Sequence, residues 1–275
     1  MSVTRRGSGH VSDSVEAVVC SPQASGSRWF WAKVEYDGTD FYGFQVQPAR
    51  RTVQGEIERV LERLVGVETR VTGAGRTDRG VHARGQVISF EVEWRHSLAD
   101  LHRALNAVLA RDVAILELAV APEGFHPRFS ALNRTYRYTV LNRPRRSPLL
   151  ERTAWHIAQD LDVTRMAQAA TSLVGTHDCS TFGRPPQGEN TVRTVQQAEW
   201  QKRGSVFTFD IRANAFLYRM VRSIVGTLVL VGWGRVSPKE FEAILQSRDR
   251  SQIRQVAPAR GLCLTRVDYP EGVLK

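Results

Sequence analysis

Gly73 Ala74 Gly75 Arg76 Thr77 Asp78 Arg79 Gly80 Val81 His82 Ala83 Arg84 Gly85 Gln86 Val87 is the stretch around which the chain is organised, and its composition argues against a hydrophobic helix or strand. Its glycines free the backbone for positive φ or for close approach to a ligand or another strand. They surround one carboxylate, Asp78, with three arginines, Arg76, Arg79 and Arg84. A carboxylate set among guanidiniums stays ionised and only accepts hydrogen bonds. Gly73-x-Gly75 begins like a dinucleotide fingerprint, but the third glycine would fall at Asp78, where a carboxylate repels pyrophosphate. A P-loop is excluded because no Gly-Lys-Ser/Thr follows at the needed spacing. Two readings stay open on these residues alone: a turn capped by Asp78 and tightened by glycines, or an anionic nucleophile or base in a cationic pocket suited to a polyanionic substrate.

Upstream, Trp29 to Tyr36 is aromatic and β-branched, a strand that runs into the loop Asp37 to Gln45. Val53, Ile57, Val60, Leu61, Leu64 and Val65 recur every three or four residues, the buried stripe of a helix with Thr52 as N-cap. Downstream, Val87 to Trp94 reads as a strand. Ser97 with Asp100 starts a second helix, and Val113 to Val120 is another strand. Strand, helix, strand, strand, helix, strand is the split βαβ order of a ferredoxin-like unit.

The same coarse order returns after residue 133. Arg134 to Val140 is a strand with Tyr136, Tyr138 and Val140 on one face and Arg137 on the other. A helical stripe from Val163 to Val174 stops at Gly175. Thr191 to Trp200 and Val206 to Arg212 are strands, and Phe216 to Val231 is apolar enough to be a largely buried helix. Ser237 Pro238 Lys239 Glu240 starts one more helix, and Leu262 to Tyr269 is the last strand. The expected fold is α/β (α+β), two ferredoxin-like halves with antiparallel sheets flanking a central cleft. The divisions are a disordered, Ser- and Gly-rich tail at 1–27, an N-terminal half at 28–133 carrying the Asp78 loop, and a C-terminal half at 134–275.

With 275 residues and 42% hydrophobic content the chain can bury a sizeable core. Lys plus Arg number 38 against 28 for Asp plus Glu, a net charge of +10, which suits either a polyanionic partner or a merely solubilising surface. The three cysteines, Cys20, Cys179 and Cys263, are scattered and suggest neither a disulfide framework nor a zinc site, so a reducing cytoplasm fits. His82, His126 and His177 lack metal-ligand spacing. No uncharged apolar run is long enough for a membrane span.

The string Gly75 Arg76 Thr77 Asp78, with Gly80 Val81 His82 Ala83 and Gly85 Gln86 Val87, resembles the signature of the tRNA pseudouridine synthase A family. Further stretches are similar to that family's motifs: Tyr36 Asp37 Gly38 Thr39 with Tyr42 Gly43 and Gln45; Arg128 Phe129 Ser130 Ala131 with Tyr136 Arg137 Tyr138; Gly175 Thr176 His177 Asp178; and Arg212 to Phe216 with Val221 Arg222 and Ile224 Val225 Gly226. The resemblance spans roughly residues 29 to 270. It implies two RNP-like halves, an active site between them, and a homodimer that presents tRNA to it. The implied reaction is cofactor-independent isomerisation of uridines 38, 39 and 40 in the anticodon stem-loop. It implies Asp78 as nucleophile, Arg222 as the residue that pairs with and orients Asp78, Arg76 as the residue that extrudes the target nucleotide, and Tyr136 against the uracil. On the residues alone, Tyr136 could equally be a core tyrosine, Arg222 could snorkel to solvent, and Arg76 could hold a phosphate. Such chemistry calls for no metal.

The chain departs from the family pattern at Phe44, where tryptophan is usual, at Val46, where a basic residue is common, and at Arg79, where a small residue is usual. Cys179 and Cys263 stand where aromatics are usual. Two rival readings remain: a noncatalytic basic RNA-binding or tRNA chaperone protein, which would tolerate loss of Asp78, and an aspartate-dependent enzyme acting on a small phosphorylated substrate.

Overall fold

In the computed structural model, which describes residues 1–2, 26–185 and 188–274, the stripe Val53, Ile57, Val60 and Leu61 is the buried face of α1 (Val53–Val65). The Thr52 hydroxyl accepts from the Gly55 N–H at its start, and Gly66, in the left-handed region, ends it. α1 follows β1 (Arg28–Tyr36) and precedes β2 (Thr72–Gly73) and β3 (His82–Val92). α2 (Leu98–Val108) opens with a full capping box between Ser97 and Asp100 and leads into β4 (Val113–Val120). Capping of this kind satisfies N–H groups that have no partner inside the helix. The strands lie in the order β4-β1-β3, with β2 antiparallel on the end of β3. Residues 3–25, which hold Cys20 and nearly all of the expected tail, lie outside the described residues.

The second set of elements is β5 (Asn133–Asn142), β6 (Trp155–Ile157), α3 (Val163–Ala170), β7 (Gly175–Asp178), β8 (Val192–Arg203), β9 (Val206–Ala213), α4 (Met220–Gly232), α5 (Pro238–Ser247) and β10 (Leu262–Asp268). Its strands run β10-β5-β9-β8, with β7 on the outer edge and β6 parallel to β5. In both sets the last strand lies beside the first, and the strand before the last, β3 or β9, lies on the first strand's other side. The repeated order of elements is therefore a repeated ferredoxin-like order of strands, as the sequence pattern predicts.

The two sets share one sheet. β10 pairs in parallel with β3 through Cys263 opposite His82 and Leu264 opposite Ala83, so ten strands are continuous. Gly85 makes this seam possible, because a Cβ there would lie 2.5 Å from the Thr265 carbonyl oxygen. One apolar cluster runs across the seam, from Phe90 and Leu105 to Tyr138, Phe209 and Val225.

Three expectations need correction. The glycine-rich stretch is strand at both ends, since Gly73 belongs to β2 and His82 onward to β3, leaving Ala74 to Val81 as the loop. Gly85, pressed on the Thr265 carbonyl, brings no apolar side chain to the strand, which hides its first half from an apolar count. The helix expected from Phe216 begins at Met220, because Arg219 sits at φ 62° and Tyr218 bridges to Arg184. The α3 helix stops at Ala170 in a short 3-10 turn, and Gly175 instead opens β7.

Candidate active site

Asp78 lies on the Ala74–Val81 loop, at the seam. The loop is held from beneath by the segment after β1. Gly38 and Gly43 have no room for a side chain, as a Cβ would lie 2.0 Å from the Val81 carbonyl oxygen and 2.7 Å from that of Thr77 respectively. The Phe44 N–H donates to Thr77 O at 3.1 Å, the Gly80 N–H to Phe41 O at 3.3 Å, and the Val81 N–H to Asp78 O at 3.1 Å. The hydroxyls of Tyr36 and Thr77 are 2.8 Å apart, and Gln86, fully buried, donates to Gly75 O. These contacts give the loop one shape before any substrate arrives.

Arg222 meets it from the other set. α4 is thirteen residues long and every one except Arg222 is buried. Arg222 Nη1 donates to Asp78 Oδ2 at 3.0 Å, with the two side chains 16% and 20% exposed. The guanidinium is aimed by a second bond, Nε to the Ala257 carbonyl at 2.8 Å, while the Ala257 N–H returns to Arg222 O at 2.9 Å. One turn on, a Cβ on Gly226 would lie 2.2 Å from Gln255 O, so the segment before β10 packs directly on the helix backbone. That segment is also tied to β5, since the Tyr138 hydroxyl donates to Pro258 O at 2.8 Å.

Tyr136 is buried on β5, between β10 and β9, with the edge of Phe216 set against its ring at 5.0 Å and 84°. Burial, reinforced by the nearby Asp78 charge, pushes its phenol well above the ordinary tyrosine range. Arg76 is exposed and makes no hydrogen bond or ion pair among the described residues. Asp78, Arg222 and Tyr136 thus converge from three separate parts of the chain, and Arg76 stands at the rim.

A family model described as tRNA pseudouridine synthase matches residues 32–130 and 169–270. The chain is 43% identical over 245 residues to tRNA pseudouridine synthase A of Halalkalibacterium halodurans, covering 88% of this chain and 93% of that protein. It is 46% identical over 239 residues to the Moorella thermoacetica protein of the same name, covering 85% and 96%. It is 45% identical over 245 residues to the one from Roseiflexus castenholzii, covering 87% and 90%. The chain belongs to the tRNA pseudouridine synthase family. By that membership it is an isomerase.

His82, His126 and His177 each bond to nearby main chain. His82 Nε2 lies 2.9 Å from Arg152 O and 3.1 Å from Arg260 O, while Nδ1 faces the Gly38 N–H. His126 Nδ1 accepts from the Arg128 and Phe129 N–H groups, and His177 Nε2 reaches Val174 O at 3.2 Å. Among the described residues no helix is long and apolar enough to cross a membrane.

Two supports of this candidate site escape a reading of the sequence. Arg134, 9% exposed, sends its fork to four carbonyls: Arg128 at 2.6 Å, Asn214 at 2.9 Å, Ala74 at 3.1 Å and Ala131 at 3.3 Å. It joins the root of the Asp78 loop to the end of β9. The Gln255 to Gly261 segment, which holds Arg222, is the other. Its sequence signal was Gly226 in mid-helix and Gly261, where a Cβ would lie 2.5 Å from the Tyr138 ring.

Proposed function

We propose that the chain converts uridine to pseudouridine at positions 38, 39 and 40 of the anticodon stem-loop of tRNA, as a cytoplasmic homodimer, with Asp78 as the nucleophile. The observation that supports this most directly is the Asp78–Arg222 pair at 3.0 Å, formed beside buried Tyr136.

The chemistry asks little of the protein beyond these groups. The N1 to C1′ bond breaks, the uracil turns, and C5 bonds to C1′; the C5 hydrogen leaves as a proton and N1 gains one. The sum is an isomerisation with no oxidant, reductant or energy source. Asp78 serves it by attack on C1′ or on ring C6, or by assisting elimination to a glycal, and each route needs a carboxylate held in one orientation. Arg222, itself fixed by Ala257 O, provides that orientation. Arg76, planar, always charged and unengaged, fills the space left by the extruded nucleotide. Tyr136 meets the flipped uracil with its ring, and burial extends the range over which its hydroxyl stays protonated above that of an ordinary tyrosine.

Release of tritium from C5-labelled uridine in a tRNA transcript tests this reading. The native chain releases label and Asp78→Asn does not, while still binding tRNA. Tight binding with no release across a panel of tRNAs would leave only RNA binding. A monomeric mass in solution at micromolar concentration would remove the dimer from the proposal.

A further inference from the structure

Immediately beyond Asp78, two arginines share one aromatic ring. The Arg79 guanidinium carbon lies 4.2 Å from the centroid of Tyr42, and that of Arg50 lies 4.5 Å from the same centroid, with Arg50 Nη1 donating to the Tyr42 hydroxyl at 3.2 Å. The main chain that carries the ring is anchored. The Tyr42 N–H donates to Arg51 O at 2.9 Å, Gln47 Nε2 donates to Tyr42 O at 2.7 Å, and neighbouring Gly43 is pressed against the backbone of Thr77, Asp78 and Arg79. The Tyr42 backbone is therefore packed directly on the Asp78 loop.

The carboxylates nearby are already taken. Asp112 is held by both Nη atoms of Arg51 at 2.7 and 2.8 Å, Asp37 and Asp40 face Arg152, and Asp78 faces Arg222. Arg50 and Arg79 pair with no carboxylate among the described residues, and both are exposed. Two like charges gathered on one ring repel each other. A ring quadrupole offsets this only in part at an exposed site, and an anion between or across them would remove the repulsion. An arginine stacked by its face keeps its N–H edge free, the geometry that takes a phosphate with two bonds. A nucleoside whose C1′ or uracil meets Asp78 brings its own and its neighbours' phosphates into the region of the adjoining residue.

We infer that Arg79 and Arg50, assembled on Tyr42, form a phosphate-binding subsite for the RNA strand next to the target nucleotide. It rests on the proposed reading of the chain as an enzyme acting on tRNA.

The test is binding of an anticodon stem-loop hairpin across a salt series, with tritium release measured in parallel. Arg79→Ala and Arg50→Ala each weaken binding roughly fivefold to tenfold, and each lowers the slope of log affinity against log salt by about one. The loss appears in KM, with kcat at saturating RNA within about twofold of wild type. Arg79→Lys keeps the salt slope and loses part of the affinity, which a merely structural role for the stack would not produce. A neutral methylphosphonate at the contacted linkage weakens the native chain and has little further effect on Arg79→Ala. Native affinity and native slope in both alanine variants would overturn the subsite, as would failure of the native chain to bind the hairpin. Native binding without tritium release would refute the enzyme reading and with it the subsite's place beside a target nucleotide, while salt slopes lowered by the alanine variants would still assign the two arginines to an RNA phosphate.

Discussion

Replacing Arg134 by methionine removes the fork that ties Ala74, Arg128, Ala131 and Asn214 together. A hydrogen bond from a charged donor contributes about 1.5–3 kcal/mol, and a buried acceptor left unmade costs about 1–3 kcal/mol. The four bonds do not add in full, because burying an arginine without a carboxylate partner is itself costly, and burial pulls the Arg134 pKa down. Their net worth is about 3 kcal/mol, which in a chain of this size lowers Tm by roughly 5–6 °C. Arg134→Lys keeps the charge, but one ammonium cannot reach four carbonyls arranged for a fork, so it recovers less than half of the loss. Because Ala74 stands two residues before Arg76, kcat for tritium release falls more than the folded fraction does at the assay temperature. Thermal unfolding and release at saturating RNA check both statements. An Arg134→Met protein melting within about 1 °C of the native chain would refute the assignment of stability to the fork.

Three other perturbations have defined outcomes. Arg222→Met leaves a partly buried Asp78 without its partner and lowers kcat by about two orders of magnitude, with a smaller change in KM; an unchanged kcat would mean that Asp78 is oriented by something else. Gly226→Ala drives a methyl group into Gln255 O, displaces the segment that holds Arg222, and costs about 1–3 kcal/mol together with activity; denaturant unfolding and tritium release read the two losses. Burial raises the phenol pKa of Tyr36, Tyr136, Tyr138 and Tyr269 above the unfolded value of 10.0. Above that value the unfolded chain gives up these protons while the folded chain keeps them. Stability is therefore whole below pH 10 and falls as pH rises beyond it, by up to about 1.4 kcal/mol per pH unit for each tyrosine. A flat unfolding free energy between pH 9 and pH 11 would contradict this.

The helices with strong apolar stripes and side-chain caps, α1, α2 and α5, are legible because their signals are local: Thr52, Ser97 and Ser237 each bond within their own first turn. Asp78, Arg222 and Tyr136 are named by their motifs, and the structure brings them together. What the pattern hides is backbone-to-backbone contact. His82 to Gln86 does not look like a strand because its neighbours are the main chains of β1 and β10, and Gly85 is selected by the Thr265 carbonyl rather than by a turn. The start of α4 is hidden for a similar reason: Phe216 to Arg219 is apolar and aromatic enough for a helix, yet Leu217 packs on Gly183 and Tyr218 bonds to Arg184. Arg134 is invisible because all its partners are carbonyls, which every residue carries.

The position of Arg222 links folding to the site. It occupies the first turn of α4, the positive end of the helix dipole, where a cation is disfavoured by about 0.3–1 kcal/mol. It is also the one residue of that helix not buried. Such a placement is stable only when an anion and a carbonyl are brought to it, and these come from distant segments: Asp78 from the loop before β3, Ala257 from the segment before β10. The same two segments lead into the strands that pair across the seam, β3 and β10. The β3–β10 seam and the Arg222–Asp78 pair are thus built from the same two segments. A chain that has not seated β10 beside β3 has neither a continuous sheet nor an oriented carboxylate, so partly folded protein holds the residues of the site without its geometry.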